Sequence, residues 1–547
     1  MKKYITAFLF SVCLLQLNAQ KQPTISQNIA ITLSEIETGR KLNMPWRNTI
    51  AVGRAHNLLR ADLQEHLTAA QKVMGYRYCR FHAIFDDEMD VVRRDKKSGQ
   101  LIFNWHQVDK VYDALLKIGI RPFVELNPMP KALASGSQTM FFYKMNVTPP
   151  QSYNEWSLLV TQFVEHLIQR YGQDEVRQWY FEVWNEPNLS AFWSGTKEDY
   201  WKLYAASARA IKNIDSKLRV GGPATAGGAW IKDIIDYCSK EKVPLDFVST
   251  HSYPQDEQIG YPDRKNSPFK VGEYFGARFK EVHAIVKNSS MPNLEIHWTE
   301  WNTQSAANAK SVTWGDNIYV DNLYAASFIA RNMVELDTLA QSMAYWVVSD
   351  IFDEGGIPQS PFSCTYGMMT IHGIPKASFN AFRFLRKMTG ELLEIKSSAS
   401  LPEGKGMVAT RENKTTRILI WNQNFVELPS HSLFTATIQI PVLGDTSFSL
   451  VKATVGIGHG SAWESWQLMG RPLNPSPTQL ELLRQHAEPL YSLSNIKPIN
   501  AAVQISINLK PGEIQYIEIA PNGQTTSTRF VNPEDFKIWD EGMSERN

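Results

Sequence analysis

The chain is expected to fold as an α/β protein, a (β/α)8 TIM barrel with an additional C-terminal β-sandwich domain. Three observations carry that expectation. Between about residues 45 and 395, eight short apolar runs alternate with helix-like segments. Beyond that point the alternation gives way to short strands joined by turns. And two of the eight apolar runs end in a glutamate among tryptophan and asparagine, at the strand ends where barrel enzymes carry their chemistry.

Taken in order, the chain begins with Lys2 and Lys3, an apolar run from Tyr4 to Leu15, and Leu17-Asn18-Ala19 at a plausible cleavage point. Residues 1–19 therefore read as a secretory signal peptide, because the run is too short to span a bilayer comfortably. In the segment 20–44, Thr24–Leu33 reads as an extra strand that joins the sandwich. The barrel strands are placed at Thr49–Gly53, Tyr76–Phe81, Arg121–Leu126, Trp179–Trp184, Leu218–Gly221, Phe247–His251, Leu294–Thr299 and Ala344–Ser349. Their apolar character on both faces suits a parallel sheet covered by helices.

Between them, Phe103 to Leu116 carries Trp105, Val108, Val111, Tyr112 and Leu115 at helical spacing, and Gly119 ends it. Trp156 to Tyr171 repeats the pattern with Leu159, Val160, Phe163 and Leu167, closed by Gly172. Thr196 with Asp199 reads as a helix start ahead of Tyr200, Leu203 and Tyr204. The sandwich, residues 396–525, is read from Met407–Arg411, Thr416–Trp421, Phe434–Pro441, Phe448–Ala453, Val503–Leu509 and Ile514–Ile519, with no long helix among them. Residues 526–547 read as a polar tail.

Composition narrows the function. The 547 residues are 43% hydrophobic, enough for a large core, and the net charge of +1 points to neither nucleic acid nor a membrane surface. No segment after the leader reads as membrane-spanning. Loss of the leader leaves Cys79, Cys238 and Cys364, an odd number that argues against a disulfide framework. No zinc-like Cys/His spacing and no glycine-rich phosphate loop occurs, so neither a metal nor an organic cofactor is expected.

The chemistry is read from Glu186, in Phe181-Glu182-Val183-Trp184-Asn185-Glu186-Pro187, and from Glu300, in His297-Trp298-Thr299-Glu300-Trp301-Asn302. Two carboxylates on two strand ends are what glycoside hydrolysis requires, one protonated and the other ionised. The bland alternative, a strand-end glutamate that caps a helix, fits poorly beside tryptophan and asparagine.

Five motifs together resemble glycoside hydrolase family 39, the β-xylosidase and α-L-iduronidase family within the large clan of (β/α)8 retaining hydrolases. They are Gly53-Arg54-Ala55-His56, Arg80-Phe81-His82-Ala83-Ile84-Phe85-Asp86-Asp87, Trp184-Asn185-Glu186-Pro187-Asn188, Asp246-Phe247-Val248-Ser249-Thr250-His251-Ser252-Tyr253-Pro254, and His297-Trp298-Thr299-Glu300-Trp301. The resemblance implies Glu186 as general acid/base and Glu300 as nucleophile, about 5–5.5 Å apart. It implies that Asn185 contacts the sugar 2-hydroxyl and that Arg80 pairs with a catalytic carboxylate.

The remaining candidates come from their places at strand ends. Tyr253 is read as a donor to Glu300, and His251, His82 and His56 as either sugar contacts or packed wall residues. Trp346 is read as the platform under the sugar, with Phe352 and Glu354 in the loop that follows. Asp353 is as readily a solvent-facing charge, and Asp86 and Asp87 read as loop stabilisers. Trp421, Trp463 and Trp466 read either as a carbohydrate platform on the sandwich or as packing against the barrel.

The leading activity is an exported retaining β-xylosidase acting on the ends of xylo-oligosaccharides, in the periplasm, at the cell surface or outside the cell. A uronidase or another exo-glycosidase is the second reading, and a non-catalytic carbohydrate-binding protein is the reading from another class. The partner is an oligosaccharide or polysaccharide, and the sequence leaves the oligomeric state open.

Overall fold

Eight parallel strands close a barrel in chain order: β1 (Thr49–Arg54), β2 (Tyr78–His82), β3 (Arg121–Leu126), β4 (Tyr180–Val183), β5 (Arg219–Thr225), β6 (Phe247–Ser252), β7 (Glu295–Trp301) and β8 (Ser342–Tyr345). This computed structural model describes residues 28–254, 274–303, 319–356, 358–363, 365–423, 432–442 and 447–522. The leader and tail readings, and Cys364, lie outside those residues.

Each strand is followed by a helix: α1 (Ala61–Met74), α2 (His106–Ile118), α3 (Tyr153–Tyr171), α4 (Lys197–Ile214), α5 (Ile231–Glu241), α6 (Tyr274–Lys287), α7 (Leu323–Glu335) and α8 (Ala377–Lys387). The strands are buried almost throughout because helices cover one face and the opposite strands fill the other. Gly75 and Gly119 end α1 and α2 in the left-handed conformation. Thr196 and Asp199 form a reciprocal capping box at the start of α4.

The helix expected from Phe103 begins later, at His106. Phe103 belongs to a short hairpin of Val92–Arg94 with Leu101–Phe103, and Trp105 is the residue ahead of the helix. The Phe103 and Trp105 rings stack 5.7 Å apart, so an apolar pattern continues across a change of backbone. Periodicity alone does not separate the two.

The second layer system is a nine-stranded sheet in the order Leu490–Ile496, Phe448–Val455, Ile514–Pro521, Thr415–Asn422, Lys405–Glu412, Glu391–Ser397, Ile29–Glu37, Phe434–Pro441, Ala502–Leu509. It doubles over so that Ile31, Leu33, Ile418, Ile420, Ile438 and Ile505 share one core. The N-terminal strand pairs antiparallel with Glu391–Ser397 and parallel with Phe434–Pro441. Along Thr415–Asn422, Ile418 and Ile420 face the sandwich core, whereas Leu419 and Trp421 join the core of the barrel. That double burial is why Ile418-Leu419-Ile420 shows no polar alternation.

The sandwich also contains two helices that its strand-rich pattern did not announce, Trp463–Leu468 and Pro477–His486. The second carries a Ser476–Gln479 capping box with Pro477 in the first turn. A tryptophan platform on the sandwich is not formed. Trp421, Trp463 and Trp466 are buried, and the last two pack with Phe362 behind the loop after β8. Cys79 and Cys238 are buried free thiols. Among the described residues, no helix is long and apolar enough to cross a membrane.

Candidate active site

Glu186 lies three residues beyond the end of β4, on a backbone held away from its easy conformations. Trp184 has φ 69° and Glu186 has φ 45°, both in the left-handed region, a strain of about 1–3 kcal/mol each that surrounding contacts must offset. They do so on several sides. The Glu186 N–H donates to the Ala224 carbonyl at 2.8 Å. The Trp184 indole N–H donates to the Phe192 carbonyl at 2.9 Å, and its ring meets Trp193 edge-on at 4.9 Å. Asn188 accepts from the Ala226 N–H at 2.9 Å. The Asn-Glu-Pro turn is thus clamped to the end of β5, and the Glu186 carboxyl is aimed back over the barrel.

Glu300 is placed by a different device. Thr250 pairs with Trp298 and His251 with Glu300, which leaves Thr299 as an extra residue in β7. Such a bulge lets two consecutive side chains turn to one side. Trp298 stays with the helices, 3.8 Å from the Phe279 ring, while Thr299 and Glu300 both face the barrel interior.

Arg80, at the middle of β2, organises that interior. Its side chain is fully buried. It donates to Glu182 at 2.6 Å, to Glu300 at 2.8 Å and to the Asn185 side-chain oxygen at 2.8 Å, and it pairs with Glu125 at 2.5 Å. One cation cannot balance three buried carboxylates. Burial pushes the Glu125 carboxyl well above its ordinary value, against the pull of Arg80. Burial also pushes Glu300 upward, while Arg80 and then His82 pull it back down. The Tyr253 hydroxyl donates to the other Glu300 oxygen at 2.9 Å, a further bond to the ionised form. Asn185, with its oxygen engaged by Arg80, retains an N–H group for a ligand.

Glu186 faces Glu300 across His251. The His251 Nδ1 lies 2.9 Å from Glu186 and 3.7 Å from Glu300. One oxygen of each carboxylate and one ring nitrogen of His251 all lie within 4.8 Å of one another. That proximity would admit a cation, but each group already has a protein partner: Glu300 in Arg80 and Tyr253, Glu186 in His251.

The opposite wall comes from β1, β2 and β8. His82 sits 4.5 Å from the Trp346 ring, and its Nδ1 meets both Glu125 oxygens at 2.9 and 3.0 Å. Burial brings His82 down to about 3, so it is neutral. Its Nε2 is 3.5 Å from Glu300 and 3.8 Å from Glu354. Burial, then the charge of Glu300, pushes the Glu354 carboxyl well up, in the direction of the form that can donate a hydrogen bond. Phe352 stands edge-on to Trp346 at 6.0 Å. A Cβ at Gly53 would come 2.9 Å from the Phe352 ring, so the glycine is what lets that ring close over the strand.

Two further candidates are placed here. His56 falls beyond β1, in a single turn at Ala55–Leu59, and lies 4.0 Å from Glu88. Asp353 does not face solvent: it is buried and accepts three hydrogen bonds from Arg54, which also bonds Glu88 at 2.5 Å and lies 4.1 Å over the Tyr143 ring. Asp86 caps its loop by accepting from the Glu88 N–H at 2.9 Å. The sequence reading missed Glu125, Glu182 and Thr299. A charged residue inside Phe123-Val124-Glu125-Leu126 or Phe181-Glu182-Val183 was the available signal, because a carboxylate in a doubly buried strand must meet a cation. It also missed the hairpin Thr139–Met140 with Met145–Asn146, which brings Phe141 to 6.2 Å from His82.

Residues 29–504 match the family model of glycosyl hydrolases family 39. The chain is 35% identical over 510 residues to a β-xylosidase of Geobacillus stearothermophilus, covering 91% of this chain and 97% of that protein. It is 37% identical over 451 residues to a β-xylosidase of Caldicellulosiruptor saccharolyticus, covering 82% and 89%. Among solved structures, the GH39 enzyme from Xanthomonas axonopodis pv. citri superposes with a TM-score of 0.80 at 30% identity, covering 91% of this chain and 98% of that one.

Proposed function

The chain belongs to glycosyl hydrolases family 39 and is a glycoside hydrolase, and from that premise we propose that it removes terminal β-xylose from xylo-oligosaccharides with retention at the anomeric carbon. The observation that supports the mechanism is the closeness of Glu186 and Glu300: one oxygen of each lies within 4.8 Å of the other, and both lie beside the His251 Nδ1, at 2.9 and 3.7 Å. An inverting pair stands about 6.5–9.5 Å apart to hold a water between the groups, whereas a retaining pair stands at about 5–5.5 Å.

Glu186 gives its proton to the glycosidic oxygen as the C–O bond breaks, and a Glu300 oxygen bonds to the anomeric carbon. Water then attacks that carbon, its proton passes to Glu186, and the ester bond to Glu300 breaks. Arg80 and Tyr253 hold Glu300 ionised and oriented. Asn185 donates to the 2-hydroxyl, and Trp346, Phe352, His82 and Glu354 enclose the sugar.

The pentose reading rests on the two β-xylosidase relatives and on charge. The Arg54 and Arg80 cations are both engaged by carboxylates, and Glu354 adds an acid to the pocket wall. Among the described residues, that lining suits a neutral glycone better than a uronate, which calls for a cation to hold its carboxylate. We also propose export, on the strength of the leader-like residues 1–19.

The test is hydrolysis of p-nitrophenyl glycosides by the wild type, Glu186→Ala and Glu300→Ala, with the first-formed anomer read by proton NMR. The β-xyloside is expected to be the best substrate, β-xylose to appear first, and Glu300→Ala to lose on the order of 10⁴-fold or more. First appearance of the α-anomer sinks the retaining mechanism. A preference for α-L-iduronide sinks the glycone assignment.

A further inference from the structure

We propose that Thr299 and Glu182 lock His251 in the tautomer that keeps Glu186 protonated, which makes Thr299 a positioning residue for the general acid. The inference rests on the reading of Glu186 as that acid.

The argument is a count of donors. The Thr299 hydroxyl has one proton, and it donates it to Glu182 at 2.7 Å. The other Glu182 oxygen accepts from the Arg80 Nε–H at 2.6 Å, an ion pair in which the carboxylate serves as acceptor on both sides. The Thr299 oxygen lies 3.2 Å from the His251 Nε2, so at this contact it is the acceptor and Nε2 carries a hydrogen. His251 is fully buried, and burial, then Arg80 and His82, hold it well below its ordinary value. A neutral ring with a proton on Nε2 presents a bare lone pair at Nδ1. That lone pair faces a Glu186 oxygen at 2.9 Å. The contact is a hydrogen bond only if Glu186 donates, and a bond to the neutral acid favours the neutral acid.

The same lock serves the second step. Once Glu186 has given its proton to the leaving oxygen, its carboxylate stands against a lone pair with no hydrogen between them. This sharpens Glu186 as the base that takes a proton from water. Among the described residues, the neighbouring groups named next are engaged elsewhere. Glu300 is 3.7 Å from Nδ1 and accepts from Tyr253 and Arg80. His82 and Glu125 bond each other on the far side of Arg80.

Thr299→Val keeps the shape of the side chain and removes the hydroxyl. His251 is then free to place its hydrogen on Nδ1, which would favour the Glu186 carboxylate. The basic limb of the kcat/KM profile on xylobiose is expected to move down by about one pH unit. At neutral pH, kcat/KM on xylobiose should fall by about tenfold. 2,4-Dinitrophenyl β-xyloside leaves without a proton and should be little affected. Thr299→Ser should restore the wild-type profile. A basic limb that stays put or rises, equal losses on both substrates, or failure of the serine variant overturns the proposal. Glu186→Ala run beside it separates the two levels. If Glu186→Ala spares the activated substrate and Thr299→Val shows no such difference, the lock alone is wrong. If Glu186→Ala itself loses equally on both, the acid assignment falls with it. Independently of any fold change in the variant, ¹⁵N spectra of histidine-labelled wild type, assigned with His251→Gln, should show the hydrogen on Nε2. A hydrogen on Nδ1 overturns the proposal.

Discussion

Inside the sandwich, Ile31, Leu33, Ile418, Ile420, Ile438 and Ile505 meet one another. Inside the mouth of the barrel, Arg80 meets Glu125, Glu182 and Glu300. Both interiors are strand-built and buried. In the first, burial of aliphatic surface is itself the stabilising term, at about 25 cal/mol per Å². In the second, burial is a cost that only mutual pairing offsets. The sandwich core tolerates the loss of a methyl group as a cavity. The mouth has no equivalent tolerance, since every missing partner leaves a charge behind. The catalytic end of this protein is therefore held by complementarity, and the rest by packing.

The largest break in that contrast should come from Arg80→Met. Three acid groups would lose their shared cation, with a loss of about 3–5 kcal/mol in stability and of at least about 10²-fold in kcat/KM as Glu300 loses its orientation. Denaturant unfolding and xyloside hydrolysis read the two effects. Full activity in a folded Arg80→Met protein would show that the cation is only structural.

Ile420→Ala probes the other side. The expected loss is about 2–5 kcal/mol, because the side chain is fully buried in the sandwich core. Here kcat/KM per folded molecule should stay within about twofold of wild type. An equal fall in activity would mean that the sandwich shapes the site as well as bracing it, a contact for which Trp463 and Trp466, behind the loop after β8, are the route.

The smallest effect is a change of slope. Burial pushes Asp86 up to about 6 from the ordinary 3.8, so the folded state binds that proton more tightly than the unfolded chain. The stability it contributes is complete below pH 3.8 and is lost as pH rises through 6, at no more than about 1.4 kcal/mol per pH unit. Asp86→Asn keeps an acceptor for the Glu88 N–H and should flatten stability over that window. Parallel stability curves for the two proteins would show that Asp86 is not the source of the slope.

Much of this was legible along the chain. A doubly covered strand must be apolar on both faces, and that reads directly as the eight barrel runs. Glycine after α1 and α2, and Thr196 with Asp199, mark helix ends through local backbone chemistry. Glu186 and Glu300 stood out because each closes such a run beside tryptophan and asparagine. What was hidden depended on contacts distant in sequence. The Phe103–Trp105 boundary was masked by a stacking pair. The helices at Trp463–Leu468 and Pro477–His486 are short and are held by the barrel loop they buttress.

By itself, the sequence determined the succession of barrel strands and helices and the two-part architecture, and it singled out Glu186 and Glu300, because periodicity, capping and turn chemistry act over a few neighbouring residues. Only the tertiary structure decided that Asp353 is paired, that His56 lies beside Glu88, and that Thr299 turns inward beside Glu300. A bulge in β7 re-aims two side chains, and closure of the barrel brings Arg80 to carboxylates 45, 102 and 220 residues away. Local chemistry cannot specify distances of that kind, since they exist only once the last strand has met the first.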